Sequence, residues 1–493
     1  MATINLNQRG IRINGPEFAA IAPELQANIL KSHGRRHTAH IFFRFNDGKQ
    51  TAAKLFLQNF ARTDVTTAQQ QQLDTEHTRL DHKQRFVTTV MLSAAAYPFL
   101  GVQPNQRPAD PRFAGGMKGS NASLLDPPVG TWDSPYQGTI HGMILVALGE
   151  TNRTNLDKRV LRIIKALRHQ GLATVLGVEE GDGIPNHDNQ DIEHFGYVDG
   201  ISQPKFFLEE VAATNRGNWD PLMPLSLVLA PDPAGSVENS FGSYFVFRKL
   251  EQNVRGFKER EKQLAKELFN DDTSELAGAM VVGRFENGTP VTLSDDDLNI
   301  HGTPIPPADL GRINNFNYDS DTTGARCPFH AHIRKSTPRG DSRPLGGTLE
   351  GEKNRMMARR GIIYGRRYVH PNEASFDEMP TKNVGLLFMS FQRDLAEQFE
   401  FIQRQWVNDI NFSHTDALTH TVTGRDPVIG QGPLANNMQR YATRYDDPAS
   451  IKAASAFGGF VTLKGGEYFF SPCMSFLRNL AGTVARHQMA MQH

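Results

Sequence analysis

Four short segments of this chain put reactive side chains beside glycine, proline or aromatic residues: FGYVDGISQP (195–204), RCPFHAHIRKSTPR (326–339), MMARRGIIYG (356–365) and VGLLFMSFQ (384–392). In the second, His330 and His332 stand two apart, and on an extended strand both imidazoles would face one side, as in some two-histidine metal sites. No Asp, Glu or His accompanies them at a metal-ligand spacing, so the competing reading has one ring exposed and the other hydrogen-bonded in the core. Asp199 sits within Gly196-Tyr197-Val198-Asp199-Gly200. Aspartate beside glycine most often bonds its own backbone in a turn. With Tyr197, Val198 and Ile201 around it, the same carboxylate could occupy a buried apolar setting poised for proton transfer. Arg359 and Arg360 would ordinarily form a solvated basic face. Next to Met356, Met357 and the glycine turn, one of them could instead enter a pocket and stabilise developing negative charge.

Elements able to position these groups are readable around them. HTAHIFFRF (37–45), RFVTTVMLS (85–93) and HGMILVALG (141–149) are apolar runs rich in β-branched or aromatic residues, and each predicts a strand, although the middle one fits a helix as well. NLDKRVLRIIKALRHQG predicts a helix with Val160, Ile164 and Leu167 on one face and Gly171 at its end. A second set runs through SYFVFRKLE (243–251), AGAMVVGRF and VGLLFMSFQ, and closes with the helix DLAEQFEFIQRQWVNDI, in which Leu395, Phe399, Ile402 and Trp406 form a stripe. FGGFVTLKGGEYFFSP (457–472) predicts a hairpin turning on its second glycine pair. The pattern is α+β in two similar halves, divided at about residue 232 where APDPAGSVENS (230–240) gathers proline, glycine and small polar residues. This gives an N-terminal domain over 1–232 and a C-terminal one over 233–493.

Bulk composition narrows the function classes. At 493 residues the chain is longer than one hydrophobic core usually supports. Lys+Arg and Asp+Glu both total 53, so nothing in the net charge attracts nucleic acid. No apolar run is long enough to cross a bilayer, and MATINLNQRGIRINGPEF lacks the basic head and apolar core of a secretory signal, so a cytoplasmic setting is expected. Two cysteines, Cys327 and Cys473, are too few for a disulfide scaffold.

Taken together, the four segments resemble those of the dye-decolorizing peroxidase family. Gly196-Tyr197-Val198-Asp199-Gly200, followed by Ile201-Ser202-Gln203-Pro204, matches the family's GxxDG signature; Cys327 to Lys335 is similar to its proximal-histidine segment, and Arg359-Arg360-Gly361 with Tyr364-Gly365 to its distal-arginine segment. LQANILKSHGRRHTAHIFFRF (25–45), VGRFENGTPVTL and GLLFMSFQRDLAEQF extend the likeness over most of the chain, and the overall length resembles the longer members. The resemblance implies two ferredoxin-like α+β domains with facing antiparallel sheets, of the dimeric α+β barrel type. It also implies one haem b per chain, held mainly by the C-terminal domain, with hydrogen peroxide and small aromatic or dye reductants as partners.

On that resemblance the iron ligand maps to His332, with His330 as second choice. Glu397, in the helix after GLLFMSFQRD, is the candidate carboxylate for the other ring nitrogen, where it would strengthen the ligand's electron donation. Asp199 is the expected proton shuttle and Arg359 the expected charge stabiliser, while Leu386 and Phe388, alternating with Leu387, resemble the apolar distal wall. A carboxylate shuttle works best in acid, which predicts an acidic pH optimum. Two rivals remain at this level: a haem-binding protein without physiological turnover, and a non-haem metal enzyme using His330 and His332. The oligomeric state is not readable.

Overall fold

The apolar runs of the N-terminal half form four strands, β1 (His37–Phe45), β2 (Val87–Ser93), β3 (Gly142–Leu148) and β4 (Ala173–Asp182), in a computed structural model that describes residues 4–214, 218–298, 313–413, 422–434 and 437–482. They lie antiparallel in the order β2-β3-β1-β4. Every residue of β2 and β3 is buried, which is why these runs do not alternate polar with apolar. RFVTTVMLS settles as a strand because its β-branched residues pair along β3, Val90 opposite Ile144 and Thr88 opposite Val146. Helices α1 (Gln50–Thr63) and α2 (Ala68–Asp81) connect β1 to β2, and α3 (Thr154–Arg168) connects β3 to β4. This is a ferredoxin-like order. α3 buries Leu156, Val160, Ile163 and Leu167 and leaves Ile164 half-buried, a stripe rotated slightly from the expected one.

A second set follows: β5 (Phe241–Gln252), β6 (Ala358–Arg359), β7 (Ile362–Tyr364), β8 (Gly385–Gln392) and β9 (Val461–Ser471), with α4 (Val254–Phe269) after β5. Its order is β7-β8-β5-β9, and β6 pairs with the far end of β8. AGAMVVGRF supplies helix α5 (Leu276–Val282), closed by Gly283 at φ +94°. The last predicted helix forms with its stripe of Leu395, Phe399, Ile402 and Trp406 buried, wound as π-helical turns over Leu395–Phe399 and Ile402–Val407.

The two sets meet where β9 pairs with β2, Phe469 opposite Ser93 and Phe470 opposite Leu92. From that seam the sheet curls so that its two wings face each other. Phe42 of β1 and Phe247 of β5 pack edge-to-face at 4.8 Å, Lys249 of β5 bonds Glu179 of β4 at 2.8 Å, and Ile362 of β7 lies against Gly181 of β4. The result is the expected α+β barrel with facing antiparallel sheets. The chain crosses between sets through Ala230–Pro231, which pairs with the start of β5, and Asp232, whose carboxylate accepts the Cys473 amide. The expected division at residue 232 lies in this connection and stands as a proposal, since both sets share one sheet and one core. Among the described residues no helix is long and apolar enough to cross a membrane.

FGGFVTLKGGEYFFSP does not turn back on itself: β9 runs straight through Gly465 and Gly466. The register against β5 slips between Leu463 and Gly465, Gly465 takes φ +138°, and a Cβ there would come within 2.4 Å of the Tyr136 ring. The glycine pair therefore makes a bulge that admits a tyrosine from the other strand set. Gly465→Ala is expected to destabilise the fold by about 1–3 kcal/mol. Gly115→Ala, where a Cβ meets nothing, should leave the unfolding midpoint unchanged in the same thermal or denaturant measurement.

Among the described residues five histidines, His33, His40, His141, His194 and His330, are buried as neutral rings. Burial pushes His33 down to about 3, helped by Arg35, and pushes His40 and His194 down to about 4. The unfolded chain takes up these protons below pH 6.5 while the folded chain does not until near pH 3–4, so stability falls as pH drops through that interval. We expect the histidine contribution to the unfolding free energy, read from denaturant titrations, to decline from pH 7 to about pH 4 by on the order of a few kcal/mol, offset in part by buried carboxyls such as Glu193 whose raised value acts in the opposite sense.

Candidate active site

His332 opens a short helix, α6 (His332–Ser336), and the turn into that helix separates the two histidines. They do not share a strand face. His330 lies in the core edge-on to Tyr441 at 4.6 Å, and burial pushes it down to about 3. His332 instead donates from Nδ1 to Asp426 Oδ2 at 2.8 Å, which leaves the lone pair on Nε2. Asp426 is fully buried, and its other oxygen accepts the amides of Val428 (2.7 Å) and Ile429 (3.0 Å). Burial alone would lower the His332 imidazole, but the facing Asp426 carboxylate outweighs it and holds the ring above its ordinary value. The side chain keeps 24% of its surface open, toward a cavity of about 710 Å³.

Asp199, Arg359, Leu386 and Phe388 line that same cavity. A smaller cavity of about 150 Å³ also touches His332, Asp199, Arg359 and Leu386. Strand alternation on β8 explains the last pair: Leu386 and Phe388 are half-buried and turn to the cavity, while Leu387 and Met389 are wholly buried in the core. Asp199 keeps its turn bond while standing at the cavity wall. Its Oδ1 accepts the Gly200 amide at 2.6 Å, as a turn aspartate does, yet the residue also lines the cavity. It is exposed at the cavity wall, so the buried apolar setting expected around it is not what surrounds it.

Arg359 is aimed by the residues that follow the GYVDG turn. Its Nη2 donates to the carbonyls of Ile201 (2.7 Å) and Ser202 (3.1 Å), and its amide to Gln203 Oε1 (3.2 Å). Pairing with Ser390 of β8 fixes its backbone. Arg360 lines the cavity too, but its guanidinium is spent on the carbonyls of Asn28, Ile29 and Arg359, and burial pushes it down to about 10. Neither arginine is part of a solvated basic face.

Glu397 is not the carboxylate on the histidine. It is 63% exposed and pairs with Arg355, because two positions on from Leu395 it falls on the helix face opposite the buried stripe. Asp426 takes that place, and the sequence reading missed it. The only local signal was Asp426-Pro427, an aspartate able to bond amides just downstream as turn aspartates do; nothing in the sequence tied it to a histidine 94 residues away. Also missed were Lys31, Arg35 and Arg36, which add cations to the cavity wall. Among the described residues no group of three or more His, Cys, Asp or Glu side chains gathers as a metal-ligand cluster.

Residues 24–179 match the family model of the DyP dimeric alpha+beta barrel domain. The multifunctional dye peroxidase DyP2 of an Amycolatopsis species is 43% identical over 474 residues, covering 94% of this chain and 97% of that protein. A solved DyP-type peroxidase from Anabaena, AnaPX, superposes with a TM-score of 0.86 at 36% identity, over 97% of this chain and 98% of its own. A dye-decolorizing peroxidase solved in complex with 2,6-dimethoxyphenol superposes with a TM-score of 0.75 at 26% identity, over 94% and 99% of the two chains. Identity of that extent along nearly the whole of both sequences, joined to a histidine, an aspartate and an arginine converging on one cavity, places this chain in the dye-decolorizing peroxidase family.

Proposed function

We propose that this protein is a haem peroxidase that reduces hydrogen peroxide and oxidises dyes, phenols and other small organic reductants, with one haem b per chain ligated by His332. The observation that carries the proposal is the His332–Asp426 bond beside a cavity that Asp199 and Arg359 also line. The residues fit an iron porphyrin. The cavity has the volume of a cofactor pocket. Leu386, Phe388, Ile402 and Trp406 offer apolar walls to a flat ring, and Lys31, Arg35 and Arg36 offer cations to its carboxylates. Arg35 Nη2 is buried without a hydrogen-bond partner, which is costly unless a ligand meets it.

Bound haem supplies the redox centre for two-electron reduction of the oxygen–oxygen bond and accepts electrons from the reductants. In balance, one peroxide, two protons and two electrons give two waters. Asp426, accepting the Nδ1 proton of His332, raises the basicity of the ligating nitrogen and fixes the ring's rotation. Asp199 takes the proton from the near oxygen of peroxide and returns it to the far oxygen, which departs as water. Arg359, held by the Ile201 and Ser202 carbonyls, stabilises the charge released as that bond breaks. Leu386 and Phe388 keep bulk water away from the reacting oxygens. The relative that binds 2,6-dimethoxyphenol supports methoxylated phenols as a substrate class here.

His332→Ala should abolish the violet haem absorption band of the purified protein. Asp426→Asn should retain haem but lose about tenfold to a hundredfold in peroxidase turnover, whereas Glu397→Gln, at the surface, should match the parent enzyme. An unchanged rate in Asp426→Asn would remove that residue from the proposed chemistry. With a carboxylate as proton carrier, turnover of a phenol should be fastest in acid and fall toward neutrality. Asp199→Asn and Arg359→Leu should each slow the reaction with peroxide by about a hundredfold to a thousandfold, read by stopped-flow absorbance.

A further inference from the structure

The turn that carries Asp199 is built around one carboxylate that plays no part in the chemistry above. Residues 191–199 fold back on themselves: the Asp199 amide donates to Asp191 O, Ile192 bridges Val198, and the Glu193 amide donates to Tyr197 O, each main-chain bond at 3.0 Å. Inside this loop the Glu193 side chain takes one backbone amide on each oxygen, Phe195 on Oε2 (2.9 Å) and Tyr197 on Oε1 (3.0 Å). Gln252, the last residue of β5, donates its side-chain amide to Oε2 as well. The loop is thus tied to a central strand, and Gln252 is itself held by donating its backbone amide to Val384 O at 2.8 Å. Gly196 makes the fold-back possible with φ +101°, and a Cβ there would press on Asn372 and Glu286.

We propose that Glu193 is a positioning residue for Asp199, holding the GYVDG turn rigid so that the aspartate stays at the cavity wall. The inference rests on the assignment of Asp199 as proton carrier. Its chemistry is specific to a carboxylate, because two oxygens must accept three N–H donors, and an amide side chain offers one acceptor and turns an NH2 group against the others. Burial lifts the Glu193 carboxyl to about 7 against the pull of those donors and of Lys258, so the brace is a carboxylate above that pH and the comparison with Glu193→Gln is made there; Tyr197 and Arg367 are the other titratable groups beside it. Glu193 and Gln252 also line the smaller cavity together with Asp199, His332 and Arg359, so the brace and the reacting groups border one space.

The test uses the haem-loaded enzyme. Glu193→Gln should lower the second-order rate constant with peroxide by about tenfold to a hundredfold, the scale of a modest misplacement, with KM for the phenol and the haem spectrum unchanged. Backbone amides of residues 195–200 should exchange hydrogen for deuterium faster than in the parent, while the strands keep their protection. The double variant with Asp199→Asn should be no slower than Asp199→Asn alone. If Glu193→Gln does not accumulate as folded protein, Gln252→Leu, which cuts only the tie to β5, should show a smaller loss in the same direction. An unchanged peroxide rate and unchanged exchange in these variants, or a loss that adds in full to that of Asp199→Asn, overturns the role of Glu193 and leaves Asp199 standing. An Asp199→Asn enzyme that reacts with peroxide at the parent rate overturns both assignments.

Discussion

A carboxylate sealed from water, with an imidazole as one of its few partners, is the constraint on which the site rests. Buried as it is, the Asp426 side chain is tolerable only because two backbone amides and the His332 ring donate to it. That need works in both directions. It sets which ring nitrogen carries the proton and at what angle the imidazole meets the cavity, and it pins the 424–429 loop to a helix reached from a distant part of the chain. Loss of the bond would strand a buried acid as well as free a ring.

The remaining groups owe their places to ordinary local rules applied in tandem. Alternation along β8 sorts Leu386 and Phe388 from Leu387 without any special feature. The two residues after the GYVDG turn spend their carbonyls on Arg359, so one short stretch both presents the acid and aims the cation. Both adjacent arginines line the cavity and differ in what holds them, Arg359 by the Ile201 and Ser202 carbonyls and Arg360 by those of Asn28, Ile29 and its own neighbour.

Legibility in the sequence followed the range of the interaction concerned. Strands such as GMILVAL and the helix around Val160 were readable because burial acts on a periodic pattern within a few residues. The order of the four motifs likewise carried the family, and with it the barrel. What failed depended on partners far along the chain: Gly465 and Gly466 look like a turn until Tyr136 is placed against them, and Asp426 looks like a loop aspartate until His332 is. Glu397 failed although the period spoke against it, since two positions on from Leu395 it falls about 200° round the helix, opposite the buried stripe. Asp199 makes the turn bond of its first reading and lines the cavity, but without the buried apolar setting that the second reading required.

The position of β9 has a consequence for how the molecule is made. That strand is drawn from residues 461–471, yet it occupies the middle of the sheet, with β5 on one side and β2 on the other. Until the ribosome has released it, both neighbours present bare hydrogen-bonding edges of the kind that recruit foreign strands. Tyr136 also waits for Gly465 to give it room. The nascent N-terminal set can pair internally as it emerges, but the seam closes only once residues 461–471 have been made, and the cavity cannot take its final outline before then.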